Sequence, residues 1–178
     1  MNPNPAPAAA PALVIMAHPH LQHSRANRAA MRAAAQTGVE LRDLYALYPD
    51  YLIDVQAEQA ALARARLIVW QHPIHWYSAP PLMKLWIDEV LAFGWAYGPG
   101  GTALHGKDLW LVASTGGPED SYRPDSYNRY FFDAFMPPFE QTAALCGMRF
   151  LPPLLLHAAH DASQALFVVH AQLYAQRL

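Results

Sequence analysis

Short, uninterrupted apolar runs alternate along this chain with longer stretches of helical period, and that alternation predicts most of its elements. Leu13 to Ala17, Leu67 to Trp70 and Leu109 to Ala113 are continuous and brief, as expected of strands buried on both faces of a parallel sheet. Val39 to Leu44 differs: Val39 and Leu41 alternate with Glu40, Arg42 and Asp43, which suits a strand nearer a sheet edge, before a turn at Pro49 and Asp50. A fifth strand is expected near Arg149 to Leu156. Ser24 to Gln36 is rich in Ala, Arg and Met and reads as a helix ended near Gly38. Gln56 to Arg64 reads as a short helix. Pro80 and Pro81, followed by Leu82, Leu85, Trp86 and Val90, open another with proline in its first turn. Asn128 to Cys146 has helical spacing interrupted by Pro137 and Pro138, and Ala162 to Leu178 reads as a closing amphipathic helix. Five strands alternating with helices imply an α/β fold with one parallel sheet covered on both faces. Ligands bind such sheets beyond the carboxyl ends of the strands.

Composition narrows this without changing it. At 178 residues and 53% hydrophobic content the chain can bury a substantial core as one domain, and no linker-like stretch divides it. Residues 1–12, MNPNPAPAAAPA, have no lysine or arginine and are broken by prolines, so they fit neither a signal peptide nor a membrane span. A disordered tail is expected there, with the domain occupying 13–178. No other segment reaches the roughly 20 apolar residues a span requires, which predicts a cytoplasmic protein. A formal charge of −2 argues against a nucleic-acid or lipid surface, and against the strongly acidic face of a dedicated electron shuttle. The single cysteine, Cys146, lies beside Ala143, Ala144 and Leu145; it excludes an internal disulfide and reads as a buried small residue.

The rule about strand ends turns three loops into one site. The first, His18-Pro19-His20-Leu21-Gln22-His23-Ser24-Arg25-Ala26-Asn27, leaves the first strand for the first helix. Ser24 is a natural N-cap, and Arg25 with the following N–H groups can meet a phosphate at the positive end of the helix. The loop has no glycine, so it matches neither the dinucleotide fingerprint nor a P-loop, and a single phosphomonoester fits it better than a pyrophosphate. The second loop, His72-Pro73-Ile74-His75-Trp76-Tyr77-Ser78, offers flat rings, backbone N–H groups and a proline-stiffened chain against which an aromatic heterocycle could lie edge-on. In the third, Ser114-Thr115-Gly116-Gly117-Pro118, the glycines let backbone come close to a flat ring.

Other chemistry is weakly signalled. His18, His20 and His23, and the pairs His72 with His75 and His157 with His160, lack cysteine or carboxylate neighbours at ligand spacing, so no metal is expected. A serine-hydrolase reading of Ser24 or Ser114 fails for want of a GxSxG elbow. The aromatic run Tyr127, Tyr130, Phe131, Phe132, Phe135, Met136 and Phe139 reads as core, as lining for a planar substrate, or as a dimer interface.

Several long strings, AHPHLQHSRAN, LYPDYLIDVQAEQAALARARLIVWQHPIHWYSAPPLMKLWIDEVL, GWAYGPGGTALHGK and STGG, resemble in order the flavodoxin-like NAD(P)H:quinone oxidoreductases. Within that family they resemble the branch that serves as ancillary subunit of bacterial glutathione-gated potassium efflux antiporters. The resemblance covers nearly the whole chain from Leu13 onward. It implies a three-layer flavodoxin-like sandwich and FMN as cofactor, with FAD the alternative. It places His18, Ser24, Arg25, Ala26 and Asn27 around the phosphate, Pro73, Ile74, His75, Trp76 and Tyr77 along the isoalloxazine, and Thr115, Gly116, Gly117 and Pro118 completing the pocket. It further implies a homodimer and ping-pong hydride transfer from NADH or NADPH, through the flavin, to a quinone.

His75 is the candidate for tuning the flavin or moving a proton; the plainer reading is that it packs against the ring or faces solvent. In the better-known quinone reductases a tyrosine after the paired glycines and a histidine six residues on help protonate the quinone. Here Tyr122 fills the first place and Asn128 the second, so proton delivery is left open. Two functional classes follow from the resemblance: a quinone reductase, and a regulatory subunit that binds an antiporter's cytoplasmic domain at the inner face of the membrane, with flavin as a structural or sensing element.

Overall fold

All three continuous apolar runs form the middle of the sheet. They become β1 (Ala12–Met16), β3 (Leu67–Pro73) and β4 (Asp108–Ser114). With β2 (Glu40–Asp43) and β5 (Arg149–Leu156) they make a five-stranded sheet of order β2-β1-β3-β4-β5, parallel at every pairing. This computed structural model describes residues 12–178, so the tail expected over 1–12 lies outside the described residues except for Ala12, which opens β1.

Alternate side chains of the central strands go to opposite faces, and helices cover both. On one face Val14, Met16, Val69, Trp110 and Val112 pack with Ala30 and Ala34 of α1 (Arg25–Gln36) and, after the other helices, with Tyr174 of the last one, Gln164–Ala175. On the other, Leu13, Ile15, Ile68, Trp70, Leu109 and Leu111 meet the remaining helices: a single turn α2 (Leu44–Leu47), α3 (Val55–Arg64), α4 (Pro81–Val90) and α5 (Pro137–Leu145). The last helix is therefore α6. Helix α1 ends before Gly38, whose φ of +80° suits a residue without Cβ. Two adjacent prolines at 152 and 153 are tolerated because β5 is an edge strand, where the pairing with β4 shifts register between Trp110 and Val112.

Three elements depart from the sequence reading, each for a local reason. Leu44 leaves the strand because the Asp43 carboxylate accepts the Ala46 N–H and caps α2. Pro137 and Pro138 begin α5 rather than interrupt a helix, and the segment before them is irregular except for a 3-10 turn at Phe132–Phe135. Helix α6 is not amphipathic: it carries no charged residue, and Leu166, Val168, Val169 and Leu173 face outward at 44–50% exposure.

Under the sheet's α3–α4 face lies a closed polar group. Glu58 is fully buried. Its Oε1 accepts from Arg42 Nε at 2.8 Å and Tyr48 Oη at 2.5 Å, and its Oε2 accepts from Trp86 Nε1 at 2.9 Å. Every partner is a donor, so the carboxylate is saturated where it sits.

Candidate functional site

Because β1, β3, β4 and β5 run parallel, their exit loops meet at one edge. The first loop makes a 3-10 turn at Leu21–His23 before Ser24 caps α1 by accepting the Asn27 N–H at 3.2 Å. The N–H groups of Arg25 and Ala26, at the positive end of α1, have no acceptor among the described residues. His18 Nδ1 accepts the His20 N–H at 3.0 Å, which leaves Nε2–H as its free donor. Burial first, and then neighbouring His75 and His20, push its pKa down to about 4, so it is neutral at pH 7.

The second loop is strained. The backbone N–H of each of His75 and Ser78 donates to the other's carbonyl at 3.0 Å, closing a tight turn with Trp76 and Tyr77 at φ +50° and +64°. Such turns belong to Asn and Gly, and holding larger residues there costs on the order of 1–3 kcal/mol each. The Trp76 and Tyr77 N–H groups have no acceptor among the described residues. Tyr77 is held by its hydroxyl, which donates to Asn128 Oδ1 at 3.1 Å, and by the Phe135 ring stacked at 4.8 Å. Trp76 is 92% exposed.

In the third loop the Thr115 N–H is tied to the Leu156 carbonyl at 2.9 Å, while those of Gly116 and Gly117 have no acceptor among the described residues. A Cβ on Gly117 would lie 2.8 Å from both Ser121 Oγ and Tyr127 Oη, so those side chains would have to shift to admit one.

These loops enclose a cavity of about 470 Å³ lined by His18, Ser24, Arg25, Pro73, Ile74, His75, Thr115 and Gly116, all expected from the sequence. An adjoining cavity of about 250 Å³ shares Ile74 and takes in Trp76, Tyr77, Gly117, Tyr122, Tyr127 and Asn128. Burial lowers the pKa of His75, with His20 adding to it.

The remaining expected residues sit differently. Asn27 is buried, and its amide donates to Ser24 Oγ at 3.1 Å and Ser114 Oγ at 3.0 Å, bolting the first loop to β4. Ala26 is buried beside it, offering the site only its backbone. Pro118 lines neither cavity; its carbonyl accepts from Ser121 Oγ at 2.6 Å and turns the chain away. Tyr122 is buried, its phenol raised above the usual 10 by burial and held back by the Thr115 hydroxyl. Of the aromatic run, Phe132, Met136 and Phe139 are core, whereas Tyr127, Tyr130 and Phe131 are 61–69% exposed.

Sequence reasoning missed a fourth wall. Ala159 and His160, from the loop after β5, line the larger cavity beside His20 and His23 of the first loop. The rule that selected three loops applies equally to the fourth parallel strand ending at that edge.

The family described as flavodoxin-like fold matches residues 11–178. The glutathione-regulated potassium-efflux system ancillary protein KefF of Citrobacter koseri is 52% identical over 167 residues, spanning 93% of this chain and 94% of that protein. Among solved structures, general stress protein 14 of Treponema denticola, in complex with FMN, superposes with TM-score 0.88 at 37% identity, over 94% of this chain and 97% of that one. An NADPH-quinone reductase of P. pentosaceus gives TM-score 0.84 at 28% identity, over 94% and 96%.

Proposed function

This chain belongs to the family with the flavodoxin-like fold, and from that premise we propose that it is an FMN-dependent NAD(P)H:quinone oxidoreductase. The observation that carries the reading is a ring of unspent backbone donors, those of Arg25, Ala26, Trp76, Tyr77, Gly116 and Gly117, at the carboxyl edge of a parallel sheet. Ala26 is buried and the others sit around the rims of the two cavities, so these donors are open to a ligand's acceptors in place of water.

FMN fits that donor set. A phosphomonoester matches the glycine-free loop at the start of α1, where the Arg25 and Ala26 N–H groups, the Ser24 side chain and His18 Nε2–H converge. The strained turn at Trp76 and Tyr77 and the glycine pair supply donors for the edge of a flat heterocycle. When bound, FMN supplies two-electron chemistry, taking hydride from a nicotinamide and giving it to a quinone. The chain's part is to orient and to exclude water. Tyr77, Tyr122 and Tyr127 wall the adjoining cavity, where a second planar molecule stacks. Trp76, Tyr130 and Phe131, at 61–92% exposure beside the site, are covered by a second copy in a homodimer.

A second role is favoured by the 52% identity to a potassium-efflux ancillary protein: binding the cytoplasmic domain of an antiporter, in the cytoplasm at the inner face of the membrane. No helix among the described residues is long and apolar enough to cross a membrane. The two roles are compatible.

An absorbance spectrum of the purified protein before and after anaerobic NADPH or NADH tests the reductase, with the released flavin identified by mass. Flavin bands that bleach and return with a quinone are expected. A colourless protein that takes up neither FMN nor FAD overturns it. Retained flavin with negligible turnover, and co-purification with the antiporter domain, would favour the regulatory role alone.

A further inference from the structure

Five imidazoles wall the larger cavity at the sheet's carboxyl edge, and no carboxylate among the described residues lines it. His18, His20 and His23 come from the first loop, His75 from the second and His160 from the loop after β5. We propose that His20, His23 and His160 bind the phosphate of the flavin as imidazolium ions, so that the protein takes up protons with FMN and prefers a phosphorylated flavin to an unphosphorylated one. The assignment rests on the FMN reading and adds three side chains to its phosphate end, beside His18, the Ser24 side chain and the backbone N–H groups of α1.

A phosphomonoester carries close to two negative charges above its second pKa of about 6, and holding it takes positive charge as well as N–H dipoles. The permanent cations near the start of α1 are committed elsewhere. The Arg25 guanidinium sits 4.8 Å from the centre of the Phe167 ring and donates to Gln164 Oε1 at 3.4 Å, both on α6. Arg28 Nε donates to the Ser24 carbonyl at 3.3 Å, and its side chain lines a different cavity, with Asp43. His18 is neutral, its Nδ1 filled by the His20 N–H. His75 meets His18 edge-on at 6.5 Å, and burial disfavours its charged form. The charge that answers the phosphate is therefore left to the three imidazoles at the rim.

Their placement suits that task. His20 and His23 bracket the 3-10 turn ahead of α1, with ring centroids 6.3 Å apart. His160 approaches from the other side: a Cβ on Gly116 would lie 3.8 Å from its Cδ2 and 3.9 Å from its Nε2. All three are exposed, and among the described residues the histidine ring nitrogens that hydrogen-bond belong to His18, His72 and His157 instead. Other titratable groups nearby lie outside the ring. Asp161 follows His160 but does not line the cavity, and His157, in the same loop, bonds Thr115 Oγ1 at 3.0 Å and lines another cavity with Glu119.

Histidine is the side chain whose charge ordinarily changes between about pH 5 and 8. With no anion among them the imidazoles oppose one another's protonation, and His75, His20 and His160 all act on His18 in that sense. A dianion set among them reverses this and favours the charged rings. Each proton taken up passes from water to a ring nitrogen and returns when FMN leaves, so no bond of the flavin changes. Affinity for FMN rises as pH falls from about 8, and levels off near about 6, where the phosphate itself takes a proton.

Isothermal titration of the full chain, freed of flavin, with FMN and with riboflavin tests this. Run between about pH 8 and 6 in buffers of different ionisation enthalpy, it reads affinity and proton uptake together. FMN should bind about tenfold more tightly at about pH 6.5 than at about pH 8, with net proton uptake, whereas riboflavin should show neither. The triple variant His20→Gln, His23→Gln, His160→Gln should lose that slope, bind FMN about tenfold more weakly at about pH 6.5 and keep its riboflavin affinity. His160→Gln alone should remove part of the slope. FMN binding without proton uptake in the wild type, or with the wild-type slope in the folded triple variant, overturns the assignment and leaves the FMN reading standing. Equal affinity for the two flavins does the same and puts the phosphate elsewhere. A chain that binds neither flavin at any pH overturns the FMN reading, and the assignment falls with it.

Discussion

The carboxylate under α3 and the loop cluster at the sheet's carboxyl edge are both polar groups set in an apolar body, and they are completed in opposite ways. Glu58 has its oxygens taken by Arg42, Tyr48 and Trp86. At the loop cluster, six backbone N–H groups have no acceptor among the described residues and two residues are held at positive φ. Both arrangements are costly to build: one desolvates a charge, the other strains a turn. The difference lies in what each leaves over. A saturated network has nothing to offer a ligand and fixes β2, α3 and α4 in place, whereas donors that no protein group takes can be given to one.

That contrast can be broken from either side. The largest effect is expected at the saturated end: Glu58→Ala strands the Arg42 guanidinium with two further donors, at a cost of about 3–5 kcal/mol in chemical denaturation. FMN affinity per folded molecule should hold. A large loss of affinity in protein that remains folded would show the two regions to be coupled.

Acid should expose the next largest effect, beneath the site loop. His72 is wholly buried, and burial pushes its pKa down to about 4. Its folded value is below its unfolded value of about 6.5, so the unfolded chain binds more protons and stability falls as pH drops. The contribution is fully present above pH 6.5 and is lost toward pH 4, amounting to about 3 kcal/mol. Denaturation midpoints measured across that window should flatten in His72→Phe, and an unchanged slope would assign the acid sensitivity to other groups.

At the unsaturated end the ordering of effects should invert. Gly117→Ala places a methyl against Ser121 Oγ and Tyr127 Oη, and should weaken FMN binding by about tenfold with little change in stability. Removing the α1 cap with Ser24→Ala is the mildest: about 1 kcal/mol of stability, with FMN held more weakly in a fluorescence titration because the phosphate loses a hydroxyl. If Ser24→Ala costs stability alone, the phosphate lies elsewhere.

How much of this was legible in the sequence follows the same division. Burial leaves a strong trace, so the apolar runs identify β1, β3 and β4 directly, and the rule about strand ends then gathers His18, Ser24, Ile74, His75, Thr115 and Gly116 into one cavity. Side-chain direction leaves much less. Asn27 belongs to the site, but as a bolt to Ser114 rather than a lining residue, and spacing alone does not distinguish those. The turn at Trp76 and Tyr77 was hidden because its usual Asn-Gly signal is absent and the flanking structure imposes the conformation. His157 and His160 were hidden among many imidazoles, since a lone histidine carries no periodic signature. Long-range partners such as Glu58 with Trp86, 28 positions apart, have no local trace at all.

On the proposed reading, the turn at Trp76 and Tyr77 offers a flat ring its main-chain N–H groups, a contact that does not depend on the side chain at Trp76. Tyr77 stays fixed by its hydrogen bond to Asn128 and its stacking on Phe135, whereas the Trp76 side chain, almost wholly in solvent, is open to replacement by residues that tolerate positive φ. An engineer could therefore redesign acceptor preference there by varying bulk and charge at Trp76, with the cofactor's grip left as it is.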